Sequence, residues 1–179
     1  MATKINWAID PMHSEINFKV KHLAIASVSG NFRGFSGTVI SETEDFDGAE
    51  IHFEAETNTI DTNNTERDAH LRSDMFLNAG KFPRLAFSGR IAKTGDAYQL
   101  EGEMTLLETT RSVQLELEYN GTGKGRFNDV RAGFEVSGKI RRKDFGLTFN
   151  LLTEAGSLVV GEEIRIHCDI ELIRQASPA

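Results

Sequence analysis

The chain has 179 residues, with 20 Lys and Arg against 27 Asp and Glu and a net charge of −7. That length suits one domain with a sizeable core, while the acidic balance, with no run of more than three cations, gives no diffuse attraction to nucleic acid or anionic lipid. One cysteine, Cys168, excludes an intrachain disulfide and any multi-thiolate metal site, and every apolar run is far shorter than the roughly 20 residues a membrane-spanning helix needs.

Prolines at 11, 83 and 178 and scattered glycines mark no linker, so residues 1–179 read as a single domain. The start of the chain carries no apolar signal core, and with the lone cysteine this leads us to expect a cytoplasmic protein, or a periplasmic one if a leader has been trimmed. Alternation at period two then runs from end to end, the mark of strands with one apolar and one polar face. After a strand around Trp7, Ile16, Phe18 and Val20 alternate with Asn17, Lys19 and Lys21. The segment from Val28 to Ile40 follows, and then Ile51, Phe53 and Ala55 alternate with His52, Glu54 and Glu56. Near residue 65 the period changes. Asn63 stands three residues before Glu66, as in a capping box, and Ala69, Leu71 and Met75 give a short helix its apolar side. Beyond it come the rows Leu85-Phe87-Gly89-Ile91, Tyr98-Leu100-Gly102-Met104-Leu106, Val113-Leu115-Leu117-Tyr119, Ala132-Phe134-Val136-Gly138-Ile140 and Ile164-Ile166-Cys168-Ile170-Leu172, with turns at Thr94-Gly95-Asp96 and Asn120 to Gly125.

The pattern predicts a mainly β protein of about eight antiparallel strands and one short helix. Such a helix cannot cover an open sheet whose apolar face runs the length of every strand, so the sheet must cover itself. Long strands favour a closed barrel over a sandwich. At eight strands the interior is either filled or holds one small ligand. Gly89, Gly102 and Gly138 fall in the apolar rows and leave volume there, or else relieve strand bends. The expected wall is Phe18, Val20, Leu100, Met104, Leu115, Leu117, Phe134, Val136, Ile164 and Ile166, which suits a long apolar molecule. His22 shares parity with Phe18 and Val20 and is expected to face inward as the polar group nearest such a ligand.

Chemistry-bearing groups are few. No nucleophile elbow, phosphate loop or dinucleotide fingerprint occurs. Adjacent His13 and Ser14 point to opposite faces of a strand, and none of the five histidines, His13, His22, His52, His70 and His167, is paired at a metal-binding spacing. No cofactor or metal is expected. Two polar segments could meet a head group at a barrel mouth: Arg67, Asp68 and His70 on the helix, and Arg142 and Lys143 in a loop with Phe145 as an apolar plug. The alternative reading of the first is an Asp68–Arg72 helix pair, and of the second a solvated loop.

These residues resemble a known family. Trp7-Ala8-Ile9-Asp10 with His13-Ser14, Phe18 to Leu23, Val28 to Phe32, Arg67 to Ser73, Phe82-Pro83, Arg142 to Gly146 and Val160 to Ile164 are similar in order and type to the YceI-like lipid- or polyisoprenoid-binding proteins of bacteria. The resemblance implies a lipocalin-like barrel carrying a polyisoprenoid or fatty-acid derivative, non-enzymatic and commonly a homodimer. Glu108 and Ser112 depart from the family's usual residues, in what reads as a turn. Two competing functions remain: an enzyme acting on such a lipid with His22, His70 or Asp68 as acid or base, and a haem or metal binder using an inward His13 or His22.

Overall fold

In the computed structural model, which describes residues 3–149 and 160–176, the period-two rows become eleven strand segments. They are β1 (Ile5–Ile9), β2 (Glu15–His22), β3 (Ala26–Phe32), β4 (Phe35–Ser41), β5 (Glu50–Glu56), β6 (Ile60–Asp61), β7 (Arg84–Thr94), β8 (Ala97–Leu106), β9 (Thr109–Lys124), β10 (Val130–Arg141) and β11 (Val160–Arg174). The segments make eight staves, because three staves are interrupted. β1 and β2 both pair with β11, at Ile9↔Leu172 and Glu15↔Asp169, and Asp10 to Ser14 break the stave between them. β3 runs into β4 past Arg33 and Gly34, and β5 into β6 through a 3-10 turn at Thr57–Thr59. Each stave pairs antiparallel with the next, and β11 closes on β1, giving a barrel with no free edge around its ring.

Parity decides which face is buried. On β8, Leu100, Met104 and Leu106 are buried while Gln99, Glu101 and Glu103 are exposed. One end of the barrel, the aromatic end, carries the β4–β5, β7–β8 and β9–β10 connections. There Phe46, fully buried, sits among Trp7, Tyr119 and Phe134, with ring centroids at 5.1, 5.3 and 4.9 Å. The other, the helical end, carries the β2–β3 turn, the α-helix α1 (Thr65–Arg72), and a 3-10 turn at Arg142–Phe145.

Several expectations need correcting. The helix cap is Asn64, whose side chain accepts from Arg67 N–H at 2.9 Å; Asn63 lies before it in left-handed backbone, φ 62°. The cap moves by one residue because buried Asp68 accepts from Thr62 N–H (2.9 Å) and Thr62 Oγ1 (2.5 Å), which fixes the chain's entry into the helix. Asp68 therefore anchors the β6–α1 corner instead of pairing with Arg72. Ala69 and Met75 are exposed, and Leu71 alone of the three turns toward the core. β9 continues to Lys124, so the turn falls at Gly125 to Asp129, where Gly125 N–H donates to Asp129 O at 2.8 Å. Ser112 lies inside β9 opposite Glu103, and only Glu108 belongs to the β8–β9 turn. Finally, Gly89 and Gly102 are direct cross-strand partners. A Cβ on either would collide with the other strand's backbone, so these glycines permit a close approach of β7 and β8 and leave no ligand volume.

Candidate functional site

Within the ring the buried rows line a cavity of about 260 Å³, just below the range of small-molecule sites, which run from roughly 300 to 1,000 Å³. Its wall extends along β8 from Leu100 to Leu106 and along β11 from Val160 to Leu172. At about 3.3 Å per residue this makes a slot at least ~20 Å long. Every atom that faces the space is apolar. Such a wall offers dispersion and water exclusion, about 0.8 kcal/mol for each CH₂ taken from water, and no hydrogen bond.

Phe18, Val20, Leu100, Met104, Leu115, Leu117, Phe134, Val136, Ile164 and Ile166 all stand on this wall. Sequence reasoning left out Ile51, Phe53, Leu85, Phe87 and Ile91, which β5 and β7 contribute. Their signal was present, since they share the same alternation. It also left out Leu71, Phe76 and Leu77, which close the wall at the helical end. No period marks them, because they come from the end of α1 and the loop after it.

Two further expected ligand contacts, His22 facing inward and Phe145 as a plug, lie off the wall. His22 is exposed and off the wall. It keeps its parity with Val20, pairing with Ala26 as Val20 pairs with Val28, but β2 has by then passed the rim and the face that is interior at Val20 is solvent at His22. Phe145 is fully buried in the core cluster but does not line the cavity, and its 3-10 turn packs against β9.

The polar segments both lie at the helical end. Arg67 donates from Nε to Thr62 Oγ1 (2.8 Å) and from NH2 to Thr62 O (2.6 Å), so with Asp68 it serves the corner. His70 stands exposed with its ring edge-on to Phe76 (5.0 Å) and Phe149 (5.4 Å), tying the helix to the segment after the 3-10 turn. Buried Arg142 touches the wall and donates to the carbonyls of Gly161 (2.8 Å), Leu147 (2.7 Å), Phe149 (2.8 Å) and Val160 (3.2 Å). Burial pushes its guanidinium below its ordinary pKa. It acts as a clamp on the chain entering β11. Exposed Lys143 pairs with Glu162 at 2.6 Å, and that partnership holds the Glu162 carboxyl below its usual range.

Ligand atoms of Asp10, His13 and Glu171 converge outside the barrel. The charge there is already met: Arg131 NH1 reaches Asp10 Oδ2 at 2.7 Å and Glu171 Oε1 at 2.6 Å, and His13 Nδ1 lies 2.6 Å from Asp10 Oδ2. The hydrogen bonds from His13 and Arg131 hold Asp10 at a pKa of about 2. Ser14 Oγ accepts from Glu171 N–H at 2.9 Å, so the group latches the break between β1 and β2 to β11. Burial raises the Cys168 thiol to about 12, which leaves it inert.

The sequence model of the YceI-like domain matches residues 7–172. Protein YceI of Salmonella newport is 36% identical over 164 residues, covering 91% of this chain and 83% of that protein. A YCEI protein of Campylobacter jejuni superposes with a TM-score of 0.74 at 26% identity, covering 88% of this chain and 91% of that one. A polyisoprenoid binding domain from Saccharophagus degradans, implicated in plant cell wall breakdown, shares the fold at a TM-score of 0.68 and 14% identity, covering 94% and 98%.

Proposed function

The chain belongs to the YceI-like family, and on that premise we propose that it is a non-enzymatic carrier that holds the apolar chain of a polyisoprenoid or fatty-acid derivative in the barrel slot. The observation that carries this is the wall itself, long, ringed by eight staves and presenting no polar atom to the space within. A sugar, nucleotide or peptide would leave its polar groups unsatisfied there at several kcal/mol each, about 2–7 by transfer scales. Phe18, Val20, Leu100, Met104 and their wall neighbours make the contacts. The polar end of the amphiphile lies at the helical end, since aromatic rings fill the opposite one. The polyisoprenoid binding domain with the same fold supports the ligand class.

The competing readings find less support. His22 and His70 are solvent-facing, Asp68 is committed to Thr62 and His13 serves the outer latch; His52 borders the cavity but is exposed, with Nδ1 3.3 Å from Ser88 Oγ, and among the described residues no polar atom faces the space. Organic extraction of the purified protein followed by mass spectrometry tests the proposal. A long-chain amphiphile recovered in proportion to protein is the expected result. Recovery of none, combined with no uptake of an added fluorescent fatty acid, would refute it.

A further inference from the structure

The turn between β2 and β3 is built against its own chemistry. Leu23 and Ala24 hold left-handed backbone, φ 54° and 58°, and Ile25 N–H donates to His22 O at 3.2 Å. Glycine or asparagine takes that conformation at least cost, yet the tip carries Leu23, Ala24 and Ile25, and Ile25 is 83% exposed. The tip stands at the helical end beside the slot. His22 is in register with Val160, and Val160 and Val20 both line the cavity.

Cations gather on the outer wall beneath this tip. Lys139, Arg165 and Lys19 are successive cross-strand partners on β10, β11 and β2, and like charges placed directly opposite one another disfavour the sheet. Glu163 reaches Lys139 at 3.6 Å and Arg165 at 3.8 Å, while Glu162 reaches Arg141 at 3.6 Å and Lys143 at 2.6 Å. A groove of about 920 Å³ runs over the row. It also carries Glu116 and an Arg33–Asp61 pair at 2.5 Å, so with Lys21 one step nearer the tip seven cations face four carboxylates, in a chain whose net charge is −7. Folding thus concentrates positive charge that the linear sequence disperses.

We infer that the β2–β3 turn and the cation row below it form a docking surface for an anionic lipid bilayer. Ala24 and Ile25 enter the interface, and Lys19, Lys21, Lys139 and Arg165 meet lipid phosphates, the pairing of apolar insertion with basic charge that holds peripheral proteins on membranes. The inference rests on the proposed cargo, because an apolar chain passes between bilayer and slot at this end without crossing water.

The test is co-sedimentation of the full chain with phosphatidylcholine vesicles, with and without phosphatidylglycerol, alongside uptake of a fluorescent fatty acid in vesicle-free buffer. The wild type is expected to sediment with the anionic vesicles alone and to be released by salt. Ile25→Asp, and separately Lys19→Gln with Arg165→Gln, should each lower the bound fraction about tenfold while fatty-acid uptake stays at the wild-type level. All three positions are exposed, so folding is retained. Equal sedimentation with both vesicles, or variants that sediment like the wild type, would overturn the inference. So would anionic vesicles failing to bind while Ile25→Asp dissolves a dimer, which would assign the tip to a second copy. Anionic-vesicle binding that the variants abolish, in a protein that takes up no fatty acid, would uphold docking and count against the cavity reading instead.

Discussion

The two ends of the barrel are closed by different physics. At the aromatic end Phe46 fills the space between Trp7, Tyr119 and Phe134, and Tyr98 Oη donates to Asp45 O at 3.0 Å to hold the loop that presents it. At the helical end the closure is a set of polar clamps, Asp68 with Thr62 and Arg142 with carbonyls that include those of Leu147, Phe149, Val160 and Gly161, over the apolar side chains of Leu71, Phe76 and Leu77. Packed rings resist opening cooperatively, since any displacement forfeits many contacts at once. Hydrogen bonds to charged groups are worth about 1.5–3 kcal/mol each, but they break one corner at a time, with water able to take up each partner as it is released. The difference teaches that the two ends of one barrel can open by different routes, one by losing a packed cluster as a unit and the other by releasing separate hydrogen-bonded corners.

The sharpest way to break this comparison is to remove the plug. Phe46→Ala should cost about 3–5 kcal/mol, the range for truncating a fully buried aromatic residue. It should also speed release of a loaded fluorescent fatty acid by giving the slot a second exit. Denaturation midpoints and release kinetics measure the two effects. A variant of normal stability would show that the aromatic end contributes no more than the helical one.

A smaller effect sharpens the account of the sealed end. The latch of Asp10 with His13 and Arg131 ties the broken first stave to β10 and β11, and those hydrogen bonds depress the Asp10 pKa from its ordinary value near 3.8 to about 2. A carboxylate with a depressed folded pKa stabilises the fold above its unfolded pKa and loses that contribution as pH falls through the folded value. Asp10→Asn should therefore cost about 1.5–3 kcal/mol at neutral pH, the range for hydrogen bonds to charged groups. The gap to wild type should then close between about pH 4 and pH 2. Urea denaturation across that range checks it, and a pH-independent gap would mean that Asp10 acts through shape alone.

The barrel was legible in the sequence because alternation is a property of single residues read in order, and it named Leu100, Met104, Leu115, Leu117, Phe134 and Val136 as interior. What depends on two chain segments meeting was not legible. Gly102 lies in an apolar row and reads as empty volume, yet its significance comes from Gly89, 13 positions earlier and directly opposite it in the sheet. Leu71, Phe76 and Leu77 carry no period that ties them to the barrel. The cation row of Lys139, Arg165 and Lys19 is invisible for the same reason, its members being far apart in the chain and adjacent across the strands.

His22 shows the same limit from another side, and its expected effect is the smallest. Its parity with Phe18 and Val20 is kept in the folded chain, where His22 pairs with Ala26, but parity says which face a side chain takes and nothing of where the barrel stops. β2 outruns the ring near Val160, its last partner on β11, so a side chain on the inner face there meets water. Exposed substitutions away from caps and networks fall within about 0.5 kcal/mol of neutral. His22→Ala should accordingly leave the denaturation midpoint unchanged and retain a polar-headed fatty acid and a plain hydrocarbon equally well. Phe18→Ala on the same strand and face is the contrast. Phe18 lines the slot, so its truncation should weaken retention of both ligands through the lost wall contacts. A selective loss of the polar-headed ligand in His22→Ala would put the imidazole back at the head group and show that the rim closes over it when cargo is bound.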